Sequence, residues 1–434
     1  MTRKKRVLII AVDPWRDDSN GGNVFTNLFS GWENEYEFAQ IYFRSQLPNN
    51  KICKRYYQLS EKEMIKASLT HKAFGREIKP EEFVNFSFED NQDNYKNPIL
   101  SKVKSMHLHI VNTIINFLWL IANWKTKQLN DFIDEFQPDI IFAPLNNSPF
   151  ILKFDRYIAK RTGKRIISYV SDDHLSYRQK SFSPLFWLNR MCVRNAAIST
   201  TKYYSLLYTM TDEQLKEYTE LLHVPMKILR KGCDFSSFVD TVQEKEPYTI
   251  IYGGNLLYGR ISTVKGLVEA VKQINQEKGK TFEIKIFTPT YLSNEDMSVL
   301  NDGENSFVLG RVSQEQLNDA YSHASIALHV DSFEKSQRLS TRLSFSTKIV
   351  DLLHTGCCVM AICWKESSPF KYLSKEDAAI CIDSPNAIYK TLKNIADNPL
   401  ILHNYSKKAW DCGVRNHNIN DIQAFLKADF ERYM

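Results

Sequence analysis

The residues best suited to hold an anion lie together in one short stretch of the second half of the chain. They are two hydroxyl residues, a lysine and, three positions further on, an aspartate: Ser346, Thr347, Lys348 and Asp351. Apolar residues at helical spacing follow Lys348 and end at Gly356, a pattern that predicts a short helix. Free amides at a helix start, together with hydroxyls and an ammonium group, can bind phosphate. Ser344 or Ser346 could instead simply cap the helix, and the pattern leaves both interpretations open.

More cations follow predicted strands in the same half of the chain. Arg260 and Lys265 come after a predicted strand at 248–253. Three others precede Ser346 in what the sequence predicts to be a polar loop: Lys335, Arg338 and Arg342. An arginine can hold phosphate oxygens in a bidentate manner, and a lysine adds a point charge. The same residues would serve equally well as solvated surface charges.

The first half of the chain offers two weaker candidates. Gly21 and Gly22 precede a predicted helix, where glycines let the backbone approach a ligand closely. They lack the G-x-G-x-x-G spacing of a dinucleotide site, and the sequence contains no G-x-x-x-x-G-K-[ST] phosphate loop. Asp173 and His174 follow a predicted strand at 165–171, where they could supply a base or orient a hydroxyl. An aspartate capping the next helix is the alternative.

Two alternating series of strands and helices must position these loops. Strands of the first series are expected near 7–12, 38–43, 137–144, 165–171, 206–210 and 226–230. Strands of the second series are expected at 248–253, 282–287, 306–309, 325–330 and 378–382, with one more buried strand after Gly356. The sequence therefore predicts an α/β protein with two doubly wound domains, at 1–240 and 245–412. A last helix at about 419–433 is long enough to cross back to the first domain. In such sheets ligands bind beyond the carboxyl ends of the strands, where the candidate residues stand.

Composition limits the classes of protein to consider. The 434 residues include 43% hydrophobic and 24% charged residues, as in a folded globular protein. A net charge of +6 suits an anionic ligand or membrane surface but falls short of a nucleic-acid binder. The eight cysteines form no C-x-x-C pair and have no histidine cluster at metal-ligand spacing, so a reducing, cytosolic compartment is expected.

One segment is far more apolar than the rest. Residues 109–124 read HIVNTIINFLWLIANW and are flanked by lysines at 102, 104, 125 and 127. The segment is too short and too rich in asparagine to span a bilayer. It predicts either a buried helix or an interfacial helix at an anionic membrane surface.

The motifs of the second half resemble a known family. The strings IIYGGNLLYGRIS, ALHVDSF and RLSFSTKIVDLLHTGCCVMAI are similar to the C-terminal half of bacterial glycosyltransferases of family 4. These enzymes have two Rossmann-like domains, the GT-B architecture. The first half agrees more loosely, through the Gly-Gly pair, QPDIIFAP and ILRKGCDFSSF, and residues 45–130 are not covered.

The resemblance implies roles for individual residues. Arg260 and Lys265 would contact a donor diphosphate, and Asn255 would bind the donor beside them. The other implied donor contacts are Ser346, Thr347 and Lys348 at the diphosphate, Asp351 at the ribose, and Gly21 and Gly22 over the phosphates. Asp173 and His174 would lie near the reacting sugar and the acceptor. Such enzymes retain anomeric configuration and need no metal or other cofactor, because a cationic cleft stabilises the departing diphosphate.

One departure from the family pattern concerns the donor sugar. The family often has two glutamates separated by seven residues, and Leu343 stands where the first would fall, with Glu334 or Asp331 as alternative carboxylates. The expected function is sugar transfer from a nucleotide-diphosphate sugar to a glycan or lipid-linked acceptor in capsule or O-antigen synthesis. The protein would be cytoplasmic and peripheral on the anionic inner membrane, without a nucleic-acid partner. A non-catalytic nucleotide-sugar-binding subunit is the alternative, and the missing dinucleotide fingerprint disfavours a nicotinamide dehydrogenase.

Overall fold

A computed structural model describes residues 3–18, 20–83, 111, 113–179 and 181–434. The chain divides into two units. Unit 1 consists of Met1–Tyr177, Ser181–Lys231 and Asp421–Met434, and unit 2 of Arg178–Lys180 and Gly232–Asn420. The chain thus passes into unit 2 at Gly232 and returns to unit 1 at Asp421.

Unit 1 is built on an eight-stranded sheet with the order β4-β3-β2-β1-β5-β6-β7-β8, in which only β4 is antiparallel to its neighbour. The strands are β1 (Lys5–Ala11), β2 (Tyr36–Tyr42), β3 (Arg55–Gln58), β4 (Arg76–Ile78), β5 (Ile140–Pro144), β6 (Ile166–Val170), β7 (Tyr204–Thr209) and β8 (Met226–Ile228). The helices are α1 (Asn20–Phe29), α2 (Glu61–Thr70), α3 (Lys127–Phe136), α4 (Pro149–Thr162), α5 (Pro184–Thr200) and α6 (Asp212–Leu222). Residues 113–121 are also helical.

Unit 2 contains a six-stranded parallel sheet with the order β11-β10-β9-β12-β13-β14. The strands are β9 (Tyr248–Gly253), β10 (Phe282–Phe287), β11 (Ser306–Gly310), β12 (Ile326–Val330), β13 (Cys358–Ile362) and β14 (Ile380–Ile382). The helices are α7 (Arg260–Lys278), α8 (Asn294–Leu300), α9 (Gln314–Ser322), α10 (Lys335–Thr341), α11 (Lys348–His354), α12 (Ser368–Lys375), α13 (Ile388–Asp397) and α14 (Leu400–His417). Short 3-10 turns occur at Pro80–Glu82, Thr201–Tyr203 and Pro385–Ala387.

Both sheets follow from continuous apolar runs, as strands covered by helices on two faces require. Residues 7–10 of β1 and 358–362 of β13 are buried throughout. In unit 2 the strand order reverses between β9 and β12, which are neighbours in the sheet although β10 and β11 separate them along the chain. The loops after these two strands begin at the same edge of the sheet and turn to opposite faces of it. The crevice between them is the usual ligand site of a Rossmann-like sheet. The expected α/β class with two Rossmann-like sheets is confirmed.

The last helix, α15 (Ile419–Tyr433), has the predicted bounds, and residues 421–434 belong to unit 1. Phe430 is fully buried and its ring lies 5.8 Å from that of Phe29 and 5.9 Å from that of Phe142. The carboxylate of Asp429 accepts a hydrogen bond from the Tyr208 hydroxyl at 2.7 Å and pairs with the ammonium of Lys227. The expectation that this helix returns to the first domain is confirmed.

Several elements were missed because their sequences carry no strong period. No element was predicted between 50 and 83, where the structure has β3, α2 and β4. The predicted polar loop before Ser344 contains α10, so the loop assignment is wrong. The apolar segment is helical over 113–121, while 84–110 and residue 112 lie outside the described part of the chain. Within the described residues, no helix is long and apolar enough to cross a membrane.

Candidate functional site

The strongest cluster of candidate residues lies at the point in unit 2 where the strand order reverses. The loop after β9 runs from Gly254 to Gly259 and leads into α7 at Arg260. The segment after β12 begins with Asp331. Because β9 and β12 are parallel neighbours, the residues that follow them meet at one edge of the sheet.

Arg260 is held in a fixed position by partners from both loops. Its Nη1 donates to Oδ1 of Asn255 at 3.0 Å, and its Nη2 donates to Oδ1 of Asp331 at 3.3 Å. Only 19% of the Arg260 side chain and 10% of the Asp331 side chain are exposed. The Asn255 loop is fixed in turn by the Tyr252 hydroxyl, which donates to the Asn255 carbonyl at 2.5 Å. The guanidinium is thus preorganised beside the carboxyl end of β9.

Asp331 carries a negative charge that supports Arg260. Burial alone would raise the pKa of its carboxyl, but His329 and Arg260 outweigh this effect and hold the pKa below its ordinary value. Nε2 of His329 lies 3.5 Å from Oδ2 of Asp331. The Asp331 carbonyl accepts from the Thr263 hydroxyl at 2.8 Å, which ties the segment to α7. The sequence named Asp331 only as a possible carboxylate for the donor sugar, and the structure instead makes it the partner of Arg260.

The ammonium group of Lys348 approaches the same loop from α11. Its Nζ donates to the carbonyl of Gly253 at 3.2 Å. A Cβ atom at Gly254 would lie 2.1 Å from this Nζ, so the absent side chain makes room for it. Part of the Lys348 side chain is exposed, yet surrounding protein and the charge of Arg260 lower the pKa of its ammonium to about 8. Arg260 and Lys348 therefore present two cations that repel each other, and a bound anion would offset this repulsion.

The other predicted residues around α11 surround its first turn. Ser346, Thr347 and Asp351 are all half-buried. The prediction that Ser344 or Ser346 caps the helix is wrong, because Thr347 is the N-cap residue and no side chain makes the cap hydrogen bond. The backbone carbonyl of Ser346 instead accepts from the Ile349 amide at 3.0 Å. The side-chain hydroxyl of Ser346 is therefore not used for capping.

Lys265, predicted as a second cation at the same place, does not join this cluster. Its Nζ lies 2.7 Å from Oδ1 of Asp296 on α8. Lys265 is five positions after Arg260 along α7. At 3.6 residues per turn, this spacing puts the two side chains about 140° apart around the helix axis. The ion pair with Asp296 accounts for Lys265 as a structural residue of unit 2.

Leu343 is fully buried, so the position of the family's first glutamate is part of the core. Glu334 is exposed and is the N-cap residue of α10. Its carboxyl carbon lies 3.0 Å from where a Cβ of Gly259 would stand, and Gly259 has a φ of +76°. Glu334 therefore lies at the rim of the loop that carries Arg260, whereas Asp331 is occupied by Arg260.

The cations expected in the polar loop have other partners. The Arg338 guanidinium stacks over the Trp364 ring at 4.9 Å. Arg342 is buried with 8% exposed, and its carbonyl accepts from the Ser368 hydroxyl at 2.9 Å. Lys335 is exposed in the first turn of α10.

Among the residues that the structure describes, one group of potential metal ligands comes together. Ligand atoms of His329, Asp331 and Cys363 lie within 4.8 Å of one another, and all three residues are buried. One Asp331 oxygen already receives Arg260, and burial raises the pKa of the Cys363 thiol well above its ordinary value. The arrangement favours support of the arginine over metal binding, and a metal-free reaction stays a prediction.

In unit 1 the Gly-Gly pair lies within α1 and not in the loop before it. A Cβ at Gly22 would stand 1.8 Å from the backbone oxygen of Arg16, whereas a Cβ at Gly21 would meet nothing within 4 Å. Gly22 is therefore required for close packing of the β1–α1 loop. Gly21 leaves the first turn of α1 open.

Asp173 is turned into the protein and organises the loop after β6. Its Oδ1 accepts from the backbone amide of Ser176 at 2.9 Å and from the Tyr218 hydroxyl at 3.3 Å. The alternative that it caps the next helix is wrong, because Ser183 is the N-cap residue of α5 and its side chain accepts from the Phe186 amide. His174 is half-buried, and burial lowers the pKa of its imidazole even though Asp172 and Asp173 act in the opposite direction. A neutral imidazole at neutral pH can act as a base.

Comparison with known proteins bears on the fold. No protein-family model matches the chain, and no curated protein matches it in sequence. In structure it is similar to sucrose-phosphate synthase (tll1590) from Thermosynechococcus elongatus, with 11% identity, a TM-score of 0.62 and 99% of each chain covered. It is also similar to Anabaena Alr3699/HepE in complex with UDP and glucose, with 10% identity, a TM-score of 0.60, and 99% of this chain and 100% of that chain covered.

A third similar structure is the E. coli trehalose-6-phosphate protein bound with UDP-2-fluoro glucose. The identity is 11%, the TM-score is 0.56, and 99% of this chain and 100% of that chain are covered. Because the sequence identities are this low, the structural similarity shows the fold only. The chemistry must be argued from the site residues. The chain has the GT-B fold of two Rossmann-like domains that the resemblance in its sequence predicted.

Proposed function

We propose that this protein is a glycosyltransferase that transfers a sugar from a nucleoside-diphosphate sugar, bound by unit 2, to a glycan or lipid-linked acceptor. The observation that carries the proposal is the cation pair at the strand-order reversal of unit 2. Arg260 is clamped by Asn255 and Asp331, and the Lys348 ammonium lies against Gly253. A diphosphate offers the oxygens that such a pair can bind.

The donor contacts follow from the same cluster. Arg260 and Lys348 bind the diphosphate, and the hydroxyls of Ser346 and Thr347 add neutral hydrogen bonds. Asp351 stands three residues after Lys348 on α11, where its carboxylate accepts hydrogen bonds from the ribose hydroxyls. The argument depends on these side chains more than on the helix dipole, because α11 has only seven residues.

The reaction breaks the bond between the sugar C1 and the diphosphate and forms one between C1 and the acceptor oxygen. Negative charge grows on the diphosphate as it leaves, and the fixed cations stabilise that charge. The acceptor hydroxyl loses its proton, and the neutral imidazole of His174 is the base that we propose for it from the family resemblance. Asp173 holds the loop that carries His174. We propose retention of anomeric configuration, which the NMR coupling of the product's anomeric proton would report.

The acceptor and pathway are proposed from the resemblance. A growing cell-surface polysaccharide, such as a capsule or O-antigen chain on a lipid carrier, would be reached at the cytoplasmic face of the inner membrane. A uridine diphosphate sugar is the first donor to test, because the similar HepE structure holds UDP and glucose. We propose Glu334 as the carboxylate that contacts donor hydroxyls, since Asp331 is occupied by Arg260.

A second function has one observation in its favour. Leu343 is buried where the family's first glutamate is expected, so a residue associated with the donor sugar is replaced by a core residue. A non-catalytic subunit that binds a nucleotide sugar for a partner transferase would tolerate this change. Such a subunit would bind donor and show no turnover with any acceptor.

The test measures nucleotide binding and turnover by the purified chain. UDP should raise the apparent thermal stability of the wild type, because a ligand that binds only the folded state stabilises it. Arg260→Ala and Lys348→Ala should each abolish most of this effect. Lys272→Ala is the matched control, because Lys272 also lies on α7 but faces Asp302 at 3.6 Å. Lys265→Ala should behave like the control.

The outcomes separate the two functions. Loss of UDP binding in the two site variants, together with sugar transfer by the wild type, supports the transferase. Binding without transfer or donor hydrolysis supports the non-catalytic subunit. Equal UDP binding in all four variants, or no stabilisation by any nucleoside diphosphate, would overturn both.

A further inference from the structure

The helical segment 113–121 of unit 1 has its apolar side outward. Its buried side is filled by Trp119, which is 3% exposed and stacks on Phe150 at 4.3 Å between ring centroids. Asn116 also points inward, where its amide accepts from the Ser148 hydroxyl at 2.7 Å. Ile114 and Phe117, in contrast, are 52% and 59% exposed. Within the described part of the chain, this helix thus turns a half-buried asparagine inward and leaves a phenylalanine exposed.

A second helix continues the same kind of surface. Nδ2 of Asn116 donates to Oδ1 of Asn189 at 3.4 Å, which places the segment beside α5. On α5, Leu188 and Met191 are 47% and 46% exposed and flank Asn189. We call the exposed apolar residues of these two helices the two-helix face: Ile114, Phe117, Leu120, Ile121, Leu188 and Met191. Large exposed apolar patches mark interaction sites.

The two helices and the residues directly after them carry charges of one sign. Residues 111–130 and 184–211 contain no aspartate or glutamate. The same stretches carry Lys125, Lys127 and Lys202, and Lys125 is exposed over the Trp124 ring at 5.3 Å. The two arginines of α5 do not place charge on the face, because Arg190 is buried and Arg194 stacks on the Tyr177 ring. The two helices therefore carry no acidic residue, and lysines follow each of them along the chain.

We infer that the two-helix face docks on the surface of an anionic lipid bilayer. An apolar helix face with aromatic residues enters the boundary between headgroups and acyl chains, while bordering lysines bind acidic headgroups. A second copy of the chain fits less well, since a two-fold contact would bring the basic borders of both copies together. The inference rests on the proposed function for its purpose only, because docking would bring the enzyme to a lipid-linked acceptor.

The test is co-sedimentation of the full chain with vesicles, without nucleotide. We expect the protein to pellet with phosphatidylcholine vesicles that contain phosphatidylglycerol and to stay in solution with phosphatidylcholine alone. Added salt should release it, because the lysine contribution is screened. The double variant Phe117→Glu/Leu120→Glu should lower binding at least tenfold. Leu309→Glu is the matched control, because Leu309 is 47% exposed but lies on β11 of unit 2.

Thermal unfolding and UDP binding of the double variant should match the wild type, since both replaced side chains are exposed. This readout separates failure of docking from failure of the proposed function. The inference is overturned if the wild type stays in the supernatant with anionic vesicles at low salt, or if the double variant pellets as well as the wild type. It is also overturned if the wild type is a dimer that the double variant dissociates, because the face would then join two copies.

Discussion

Gly254→Ala offers a direct test of the space in which Lys348 lies. The new Cβ would stand 2.1 Å from Nζ of Lys348, a distance that forces one of the two atoms to move. The obstructed atom is the far end of a flexible side chain, so the ammonium should swing away while the sheet stays intact. The variant should therefore resemble loss of the Lys348 charge without removal of the lysine.

The magnitude follows from the interaction that is lost. A hydrogen bond to a charged group contributes about 1.5–3 kcal/mol. Loss of one such bond to the diphosphate would weaken UDP binding by about 10- to 150-fold at 25 °C. Isothermal titration calorimetry with UDP measures this ratio. Because Gly254 has a φ of +157°, a cost in backbone strain is also expected, and urea unfolding would report it separately.

Two further variants make the measurement decisive. Gly266→Ala is the control glycine substitution, because its Cβ would meet only Cδ1 of Ile388, at 3.8 Å. The double variant Gly254→Ala/Lys348→Ala should bind UDP no worse than Lys348→Ala, since both changes remove the same interaction. Full UDP affinity in Gly254→Ala, or additive losses in the double variant, would refute the reasoning.

Three other predictions use charge and packing elsewhere in the chain. Bound diphosphate should raise the pKa of Lys348 from about 8, so the protein should take up a proton when UDP binds. The affinity for UDP should therefore fall by up to about tenfold per pH unit above about pH 8. An affinity that is constant from about pH 7 to 9 would contradict this. The carboxyl of Asp155 is buried without a hydrogen-bond partner, and burial raises its pKa well above the ordinary value. The stability that this carboxyl contributes is therefore present below its unfolded pKa of about 4 and is lost as the pH rises through its folded pKa. In urea unfolding, the free energy of unfolding of Asp155→Asn should thus increase relative to that of the wild type as the pH increases. A difference between the two proteins that does not change with pH would count against this. Gly22→Ala should lower the free energy of unfolding by about 1–3 kcal/mol, because its Cβ would meet the Arg16 backbone, whereas Gly21→Ala should not; equal stability of the two variants would be inconsistent with this packing.

The sequence identified the elements whose residues are buried regularly. The strands at 248–253 and 282–287 and the last helix at 419–433 have the predicted bounds. These elements carry apolar residues at the period of a strand or helix, and that period is a local property of the chain. The same local signal placed Arg260 after a strand and Lys348 at the start of a helix.

The failures have local causes too. α10 was missed because its serine and threonine residues disfavour a helix whereas its lysine, arginine, glutamine and leucine favour one, so tertiary packing decides. Gly22 was interpreted as a means of ligand approach, but close packing against the Arg16 backbone requires it. Both mistakes concern residues whose neighbours in space are not visible from spacing.

Only the tertiary structure decided which candidate residues work together. Arg260 and Lys265 were equivalent cations in the sequence, yet the rotation of α7 gives one to Asp331 and the other to Asp296. The partners of the site are 71 residues apart for Arg260 and Asp331, and 95 apart for Lys348 and Gly253. Periodicity cannot report such pairs, because they are brought together by the order of strands in the sheet. The sequence thus determined the fold and the kinds of residues available, and the sheet topology determined which of them form the site.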